Sequence, residues 1–315
     1  MIVAGLDIGG TKCAAVLAET TENGVVFLER EQIATKRDWR SILDKLCGSV
    51  RSFEKKRGVK AEAAGISCGG PLSAEEGLIL SPPNLPGWEN APACAYVAER
   101  LALPARKVRL KNDADACALA EWKYGAGRGT RNMIFLTFGT GLGAGLILNG
   151  GLYTGGDGTA GEVGHIRLKN SGPIGYGKAG SFEGFCSGGG ILQLADEYFG
   201  EKLRRGEPCP YYRGRGSVSA KLLGEKAAEN DADALAVFSI VGEYFGKGLA
   251  VLIDLLNPDA IVAGSIYARC EKYIAPSMQK VLKEECLSQP LARVKILPSG
   301  LGEKIGDYGA VCAAF

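Results

Sequence analysis

Residues 134–165 read IFLTFGTGLGAGLILNGGLYTGGDGTAGEVGH, and eleven of the positions from Gly139 to Gly164 are glycine. So much glycine is unfavourable in an ordinary core, because each one gives up more backbone freedom on folding than any other residue. A surface loop would be polar on both flanks, whereas residues 133–138 and 144–148 are short and apolar. The pattern is strand, glycine turn, strand: a hairpin whose backbone lets another group approach closely. The stretch ends in Glu162-Val163-Gly164-His165, and His165 is the only histidine of the chain.

The N-terminus carries a second copy of this pattern. Residues 2–7 and 12–18 read as strands joined by Gly9-Gly10-Thr11, and Asp7-Ile8-Gly9-Gly10-Thr11 lies over Thr137-Phe138-Gly139-Thr140-Gly141 at an offset of 130 residues. Both copies run on into alanine-rich apolar strands (Ala14, Val16, Leu17 against Ala144, Leu146, Ile147). A repeated supersecondary unit at this spacing predicts two similar halves. Two facing glycine hairpins can hold a polyphosphate by their backbone N–H groups.

A chain of 315 residues accommodates two lobes. With 46% hydrophobic and 23% charged residues it is a packed globular protein and not a disordered one. The net charge of +2, without a basic block, argues against nucleic acid as the main partner. The start, MIVAGLDIGGTK, has no basic n-region and no long apolar h-region, so it reads as a buried strand and not a leader. No apolar run reads as long enough to cross a membrane, and no membrane partner is expected. The ten cysteines are scattered and form no CxxC, which suits reduced core thiols and a cytoplasmic protein.

Between and after the hairpins the chain alternates. Residues 25–34 read as a strand, 39–57 as a helix with Ile42, Leu43, Leu46, Val50 and Phe53 at helical spacing, and 61–67 as a strand running into Cys68-Gly69-Gly70-Pro71. Residues 72–90 form a long irregular segment, and loops of this length inside a compact domain are usually functional. Residues 91–101 read as a helix and 108–110 as a strand. Asn112-Asp113 then opens the helix 114–124. Asn or Asp there is an ordinary N-cap, and a polar pair at a strand-to-helix corner also suits a ligand. Further on, 191–199, 220–230 and 232–256 read as helices, the last with a broad apolar face. Residues 260–263 and 294–297 read as strands, with a helix between them from Gly264-Ser265 to about 287 and a terminal helix at 307–315. Residues 202–216 are polar and basic and read as an exposed excursion. The whole is α/β in two lobes, with a cleft between them.

The phosphate chemistry is not of the common kinds. No G-x-x-x-x-G-K-[ST] string exists, and Gly141-x-Gly143-x-Gly145 leads into a strand where a dinucleotide fingerprint needs a helix. What remains is the hairpin type of phosphate binding. In it Asp7 is placed to act through magnesium, Thr11 and Thr140 offer hydroxyls, and Lys12 is a candidate phosphate-neutralising cation.

Asp7-Ile8-Gly9-Gly10-Thr11-Lys12, Asn84-Leu85-Pro86-Gly87-Trp88, Asn112-Asp113-Ala114, residues 137–145, Gly161-Glu162-Val163-Gly164-His165 and Asn257-Pro258 together resemble the ROK family. That family comprises bacterial sugar kinases and sugar-responsive repressors within the actin/hexokinase-like superfamily. The motifs occur in order over most of the chain. The resemblance implies a two-lobed actin-like (ribonuclease H-like) α/β fold with a duplicated hairpin core. The lobes would divide at residues 1–112 plus 299–315 and 113–298. It also implies ATP-dependent phosphorylation of a hexose hydroxyl, glucokinase fashion and at the 6-hydroxyl. Asp113 would be the catalytic base, held ionised by the helix dipole and therefore weak, which suffices for a loose transition state. Asn112, Asp113, Glu162, His165 and Glu183 would contact sugar hydroxyls, with Gly69 and Gly70 lining that side of the cleft. Asp7, Gly9, Gly10, Thr11, Lys12, Thr140, Gly141, Gly143, Gly264 and Ser265 would lie along ATP with its Mg2+. A homodimer is implied too.

One departure stands out. Where the family has C-x-C-G-x-x-G-C-x-E, whose cysteines join the histidine on a structural zinc, this chain has Ile174-Gly175-Tyr176-Gly177-Lys178-Ala179-Gly180-Ser181-Phe182-Glu183. One histidine and the lone Cys186 cannot fill a tetrahedral site. No structural zinc is expected. The loop would be held by packing of Ile174, Tyr176 and Phe182, leaving His165 free for the sugar. The other readings are a kinase of fructose, allose, N-acetylglucosamine or N-acetylmannosamine, or a sugar-sensing regulator. The regulators carry a helix-turn-helix ahead of the kinase-like part, and this sequence opens directly on the first phosphate strand. A sugar-binding protein without activity would be expected to lose Asp113 or the glycine runs, and both are present.

Overall fold

A computed structural model of the chain describes residues 1–22 and 24–315. Its frame is a pair of five-stranded sheets. In the first, β1 (Ile2–Ile8), β2 (Lys12–Thr21) and β3 (Gly24–Ala34) form an antiparallel meander, and β4 (Ala63–Cys68) and β5 (Val108–Asn112) extend it in parallel on the other side of β1. α1 (Trp39–Arg57) and α2 (Ala93–Leu101) supply the crossovers. α3 (Asp113–Tyr124) then carries the chain to the second sheet.

There β6 (Met133–Leu136), β7 (Ala144–Leu148) and β8 (Gly151–Tyr153) repeat the meander. α4 (Gly188–Arg204), α5 (Ala220–Ala228) and α6 (Ala232–Leu256) follow, then β9 (Ala260–Ala263), α7 (Ser265–Glu285), β10 (Lys295–Pro298) and finally α8 (Ile305–Cys312). The strand orders are β3-β2-β1-β4-β5 and β8-β7-β6-β9-β10, with the same directions, so the repeat read from the hairpins extends to the whole sheet.

The two helices that pass between sheets pack through glycine. A Cβ on Gly145 of β7 would collide with the Ala114 carbonyl of α3, and one on Gly65 of β4 would collide with the Ala310 carbonyl of α8. The helices meet each other where a Cβ on Gly309 would lie 3.3 Å from the Ala116 and Cys117 backbone. Strand interiors disfavour glycine, and here the missing side chain lets a helix lie directly on the sheet.

α1 follows its apolar spacing, with Asp38 accepting from the Arg40 N–H at one end and Gly58 in the left-handed conformation at the other. Several expectations need correction. α4 begins at Gly188, ahead of residue 191, because Ser187 accepts from the Gly190 N–H and caps three glycines that helix propensity disfavours. Strand β8 was not anticipated. Residues 72–90 are not wholly irregular: Leu72–Ser73 pairs with Leu78–Ile79, and Leu85 and Trp88 are buried in the core packed on the first sheet. α6 is, contrary to the sequence reading, long and apolar enough by length and composition to cross a membrane. Its Phe238, Phe245, Leu249 and Ile253 lie in the larger hydrophobic core against α7.

Candidate active site

The first glycine turn is closed by the Gly9 N–H donating to the Lys12 carbonyl (3.1 Å). It is braced from β3's end by the Thr35 hydroxyl, which donates to the Gly9 carbonyl (2.6 Å). Thr11 and Lys12 are exposed at its tip. Gly10 lies against Asn84, whose carbonyl oxygen would be 2.8 Å from a Cβ at position 10. That places Asn84, held by the buried Leu85 and Trp88 beside it, against the turn. The sequence offered Asn84 as part of a motif and assigned it no role.

The second turn is wider. Thr137 N–H donates to the Gly143 carbonyl (3.0 Å), Gly143 N–H to the Thr137 hydroxyl oxygen (2.9 Å), and Gly139 N–H to the Gly141 carbonyl (2.9 Å). Thr140 is exposed at the tip. Gly264 N–H donates to the Leu136 carbonyl, and a Cβ on Gly139 would sit 3.5 Å from the Ser265 hydroxyl, so Gly264 and Ser265 belong with this second loop. Glu183 reaches across to it: Oε2 accepts from the Leu142 N–H (2.9 Å), and a Cβ on Gly141 would lie 2.7 Å from the same oxygen.

Two carboxylates act by charge on a third near the first loop, without the three forming a metal-sized group among the described residues. Asp7 is next to last in β1 and pairs in register with Ser67 on β4. Burial, then the charges of Asp113 and Asp307, push the Asp7 carboxyl up to about 6; Ser67 and Arg30 pull it back. The Ser67 hydroxyl is buried without a well-formed hydrogen bond. Asp307 is fixed by Arg30, whose Nε donates to it at 2.7 Å. Asp113 opens α3. Its side chain is exposed toward the cleft and crowded by protein on its other sides. That desolvation raises its carboxyl above the ordinary value, while the backbone N–H groups of Ala114 and Asp113 oppose the rise. The Ala114 N–H is shared, donating to Asn112 Oδ1 (2.9 Å) and Asp113 Oδ1 (2.8 Å). Asn112 is therefore the N-cap, and the polar pair serves both readings left open by the sequence. The expectation that the dipole makes Asp113 a weak base is corrected: desolvation outweighs it, and the carboxyl is a stronger base than an ordinary one.

The sugar-side candidates gather round Asp113. A Cβ on Gly69 would lie 3.9 Å from Asp113 Oδ2 and 3.7 Å from Asn84 Nδ2, and one on Gly70 would lie 3.4 Å from Asn112 Nδ2. Glu162 is raised by desolvation, by Glu183 and by Asp113, and lowered by His165, which puts each of those three side chains within electrostatic reach of Glu162. Asp115, one of the few buried charged residues, was missed by the sequence reading. Burial, Asp113 and Glu162 raise it to about 7 against the pull of Lys111.

The loop before Glu183 is not held as expected. Ile174 is 55% and Tyr176 71% exposed, so neither enters the core, although the Tyr176 ring lies edge-on to His165 with centroids 6.4 Å apart. Phe182 alone is buried, against Gly248 and Phe245. Hydrogen bonds do the rest. Gln193 accepts from the Ile174 N–H (2.8 Å) and donates to its carbonyl (2.9 Å), Lys178 donates to the His165 carbonyl (2.7 Å), and Arg167 to the Ala179 carbonyl (2.6 Å). Two surface grooves of about 250 and 370 Å3, one beside Tyr267 and Ile296 and the other beside Asn257 and Arg293, contain none of the site residues.

The model of the ROK family matches residues 3–314. A glucokinase of Streptomyces coelicolor is 30% identical over 313 residues, covering 97% of this chain and 95% of that protein. An N-acetylmannosamine kinase of Haemophilus influenzae is 31% identical over 286 residues, covering 89% and 85%. Among solved structures, a ROK family glucokinase from Streptomyces griseus in complex with glucose and AMPPNP superposes with a TM-score of 0.78 at 30% identity, covering 99% of this chain and 98% of that one.

Proposed function

The chain belongs to the ROK family, and from that premise we propose that it is an ATP-dependent hexose kinase of glucokinase type, transferring the γ-phosphate to the 6-hydroxyl. What supports this reading is the exposed Asp113 carboxylate at the start of α3, with Gly69 beside it and Glu162 within electrostatic reach, Glu162 itself being coupled to Glu183 and His165. Carboxylates, amides and imidazole suit paired sugar hydroxyls because each can accept or donate as required. Asn112, Glu162, His165 and Glu183 orient the sugar. Gly69 and Gly70 leave room for it beside Asp113.

Asp113 accepts the hydroxyl proton as the oxygen attacks phosphorus. Transfer of a phosphoryl group has a loose transition state, so positioning and charge stabilisation supply most of the rate. The N–H groups at Gly10, Thr11, Thr140 and Gly141 line the phosphates, while Gly9 and Gly143, whose N–H groups close their own turns, hold the loops in shape; Lys12 neutralises charge there, and Gly264 and Ser265 face the nucleoside end. Glu183, through Leu142, keeps the sugar side and the second loop in register. Asp7 suits a magnesium ion that travels with ATP: it is a carboxylate crowded by two others, and a cation relieves that crowding. The ion would supply charge neutralisation of the phosphates.

The lobes divide, in this reading, at 1–112 plus 299–315 and 113–298, and they close over the substrates to exclude water. No structural zinc is needed, since Phe182 and the Gln193, Lys178 and Arg167 hydrogen bonds hold the loop. A cytoplasmic homodimer acting on small molecules, with no nucleic acid or membrane partner, completes the proposal. The N-acetylmannosamine kinase relative makes an N-acetylated hexosamine the second candidate acceptor. Fructose and allose follow, and a regulator without turnover is the reading from another class.

A coupled ADP-release assay over glucose, mannose, fructose, allose, N-acetylglucosamine and N-acetylmannosamine tests the proposal. Turnover should be greatest with glucose. Greater turnover with another sugar moves the assignment within the class, and sugar binding without turnover on any of them overturns the kinase reading in favour of a regulator.

A further inference from the structure

α3 bears Asp113 in its first turn and Glu121 in its last. Glu121 is fully buried, at 0% exposure. Ionisable side chains are seldom found there without partners, and Glu121 has four. Oε2 accepts from the N–H groups of Ala126 (2.8 Å) and Gly300 (3.2 Å); Oε1 accepts from the Leu301 N–H (3.1 Å) and the Ser299 hydroxyl. Three of the four donors come from residues 299–301, where the chain leaves β10 to return to the first sheet through α8.

The backbones are pressed together at the same point. A Cβ on Gly300 would lie 2.8 Å from the Ala126 nitrogen, and one on Gly125 would overlap the Glu121 carboxyl group. Ser299 N–H in turn donates to the Ala263 carbonyl at the end of β9 (2.9 Å). The chain passes from the first sheet to the second along α3 and comes back through 299–304. Both passages, whose helices also pack on each other at Gly309, are tied by hydrogen bonds at this carboxylate.

We propose that Glu121 is a positioning residue for the transfer reaction. It clasps the return crossover to the far end of the helix that begins at Asp113, making the two crossovers a single hinge. α3 is a rod of about 18 Å, so slack at its Glu121 end displaces its Asp113 end. A misplacement of about 1 Å is enough to cost roughly a hundredfold in rate. Closure of the lobes then brings the Asp113 carboxylate to one place relative to the sugar hydroxyl. This inference rests on the kinase reading.

Glu121→Gln and Ser299→Ala in the full chain test it, each assayed well below its melting temperature. The amide of Gln cannot accept at all four donors, and Ser299→Ala removes one donor only. In Glu121→Gln, kcat should fall at least tenfold with the KM for ATP within twofold, and hydrogen exchange at the Gly300 and Leu301 amides of the ligand-free protein should accelerate at least tenfold. Ser299→Ala should move both readouts the same way, two- to fivefold. A merely structural role would lower the melting temperature and leave kcat of the folded enzyme alone. Folded Glu121→Gln with kcat within twofold of the parent, or a slower kcat with unchanged exchange at 300 and 301, overturns the proposal. If Glu121→Gln does not fold, Ser299→Ala decides by the same two readouts. Failure of the kinase reading looks different: the parent chain itself then turns over no sugar.

Discussion

In the first half of the chain Asp7 stands next to last in the strand before the glycine turn; at the matching place in the second half stands Thr137, just past the end of β6. The Thr137 hydroxyl is spent inside its own loop, accepting from the Gly143 N–H at 2.9 Å. Asp7 has no partner inside its own turn, and among the described residues only Ser67 on β4 and Arg30 ease its charge. It faces Asp113 and Asp307, and its carboxyl is driven up to about 6. Sheets of identical order and direction thus carry one loop braced by its own hydroxyl and one preceded by a carboxylate that burial and two other carboxylates push toward its neutral form. On the proposed kinase reading, duplication would supply two cradles for a phosphate chain, and the replacement of a hydroxyl by a carboxylate would give them different ends.

The largest effect is expected where the asymmetry is greatest. Asp113 has no functional counterpart at the return crossover, where α8 begins Ile305-Gly306-Asp307 and the carboxylate is tied to Arg30. Asp113→Ala should bind hexose with near-parental affinity and lose about 10²–10⁴-fold in kcat. Isothermal titration with sugar and a coupled assay separate the two, and parental turnover would remove Asp113 as the base. In the parent, kcat/KM should fall on the acid side with an apparent pKa above the ordinary carboxylate range, since desolvation raises Asp113. That apparent value belongs to the coupled Asp7–Asp113 pair.

Asp7→Asn comes next, at about a hundredfold in kcat with a raised magnesium requirement. Steady-state kinetics at varied Mg2+ check it. If the Mg2+ dependence were unchanged, the carboxylate would have no part in holding the ion.

The fold was legible in the sequence wherever the signal was local. The glycine turns, the 3–4 spacing of Ile42 through Phe53 and the apolar face of α6 each lie within one element. Of the residues the resemblance named, Asp113, His165 and Glu183 each act by charge on Glu162. Contacts between residues far apart in the chain were hidden. Glu121 lies 178 residues before its Ser299 partner, and Arg30 lies 277 before Asp307. Neither periodicity nor propensity encodes such pairs. Ile174 and Tyr176 were misread as packing residues for a different reason. An apolar side chain on a two-residue ribbon is under no obligation to be inside, and in that ribbon hydrogen bonds to Gln193 and Lys178 take over the fixing.

Asp115 offers a smaller test, through pH. Its folded-state carboxyl, at about 7, lies above the unfolded value near 3.8. Between those limits the native chain holds more protons than the unfolded one, so stability falls as pH rises through the window. The ligand-free protein should melt higher at pH 5.5 than at pH 8. Asp115→Asn should flatten that slope and stabilise the protein at pH 8 by about 1–3 kcal/mol. Thermal melts across pH measure it, and a slope of the opposite sign would mean that Asp115 is held ionised by Lys111.

The smallest effect should come from the counterpart of Asp7. Thr137→Val keeps the shape of the side chain and removes its hydroxyl. The Gly143 N–H loses one acceptor beside an open cleft, where water can replace it, so the loss is about 1 kcal/mol. The backbone bonds from Thr137 N–H to the Gly143 carbonyl and from Gly139 N–H to the Gly141 carbonyl remain. The loop therefore keeps its path while becoming slightly looser. The KM for ATP should rise two- to fivefold, in the range expected of about 1 kcal/mol, and kcat should stay within twofold. The comparison is then sharpened by pairing variants: hydroxyl loss in one half is nearly silent in kcat, while carboxylate loss in the other is not. Were Thr137→Val to abolish turnover as Asp7→Asn is expected to, the two loops would be chemically alike. The polarity of the transfer would then have to arise outside them, from the sugar side around Glu162 and Glu183.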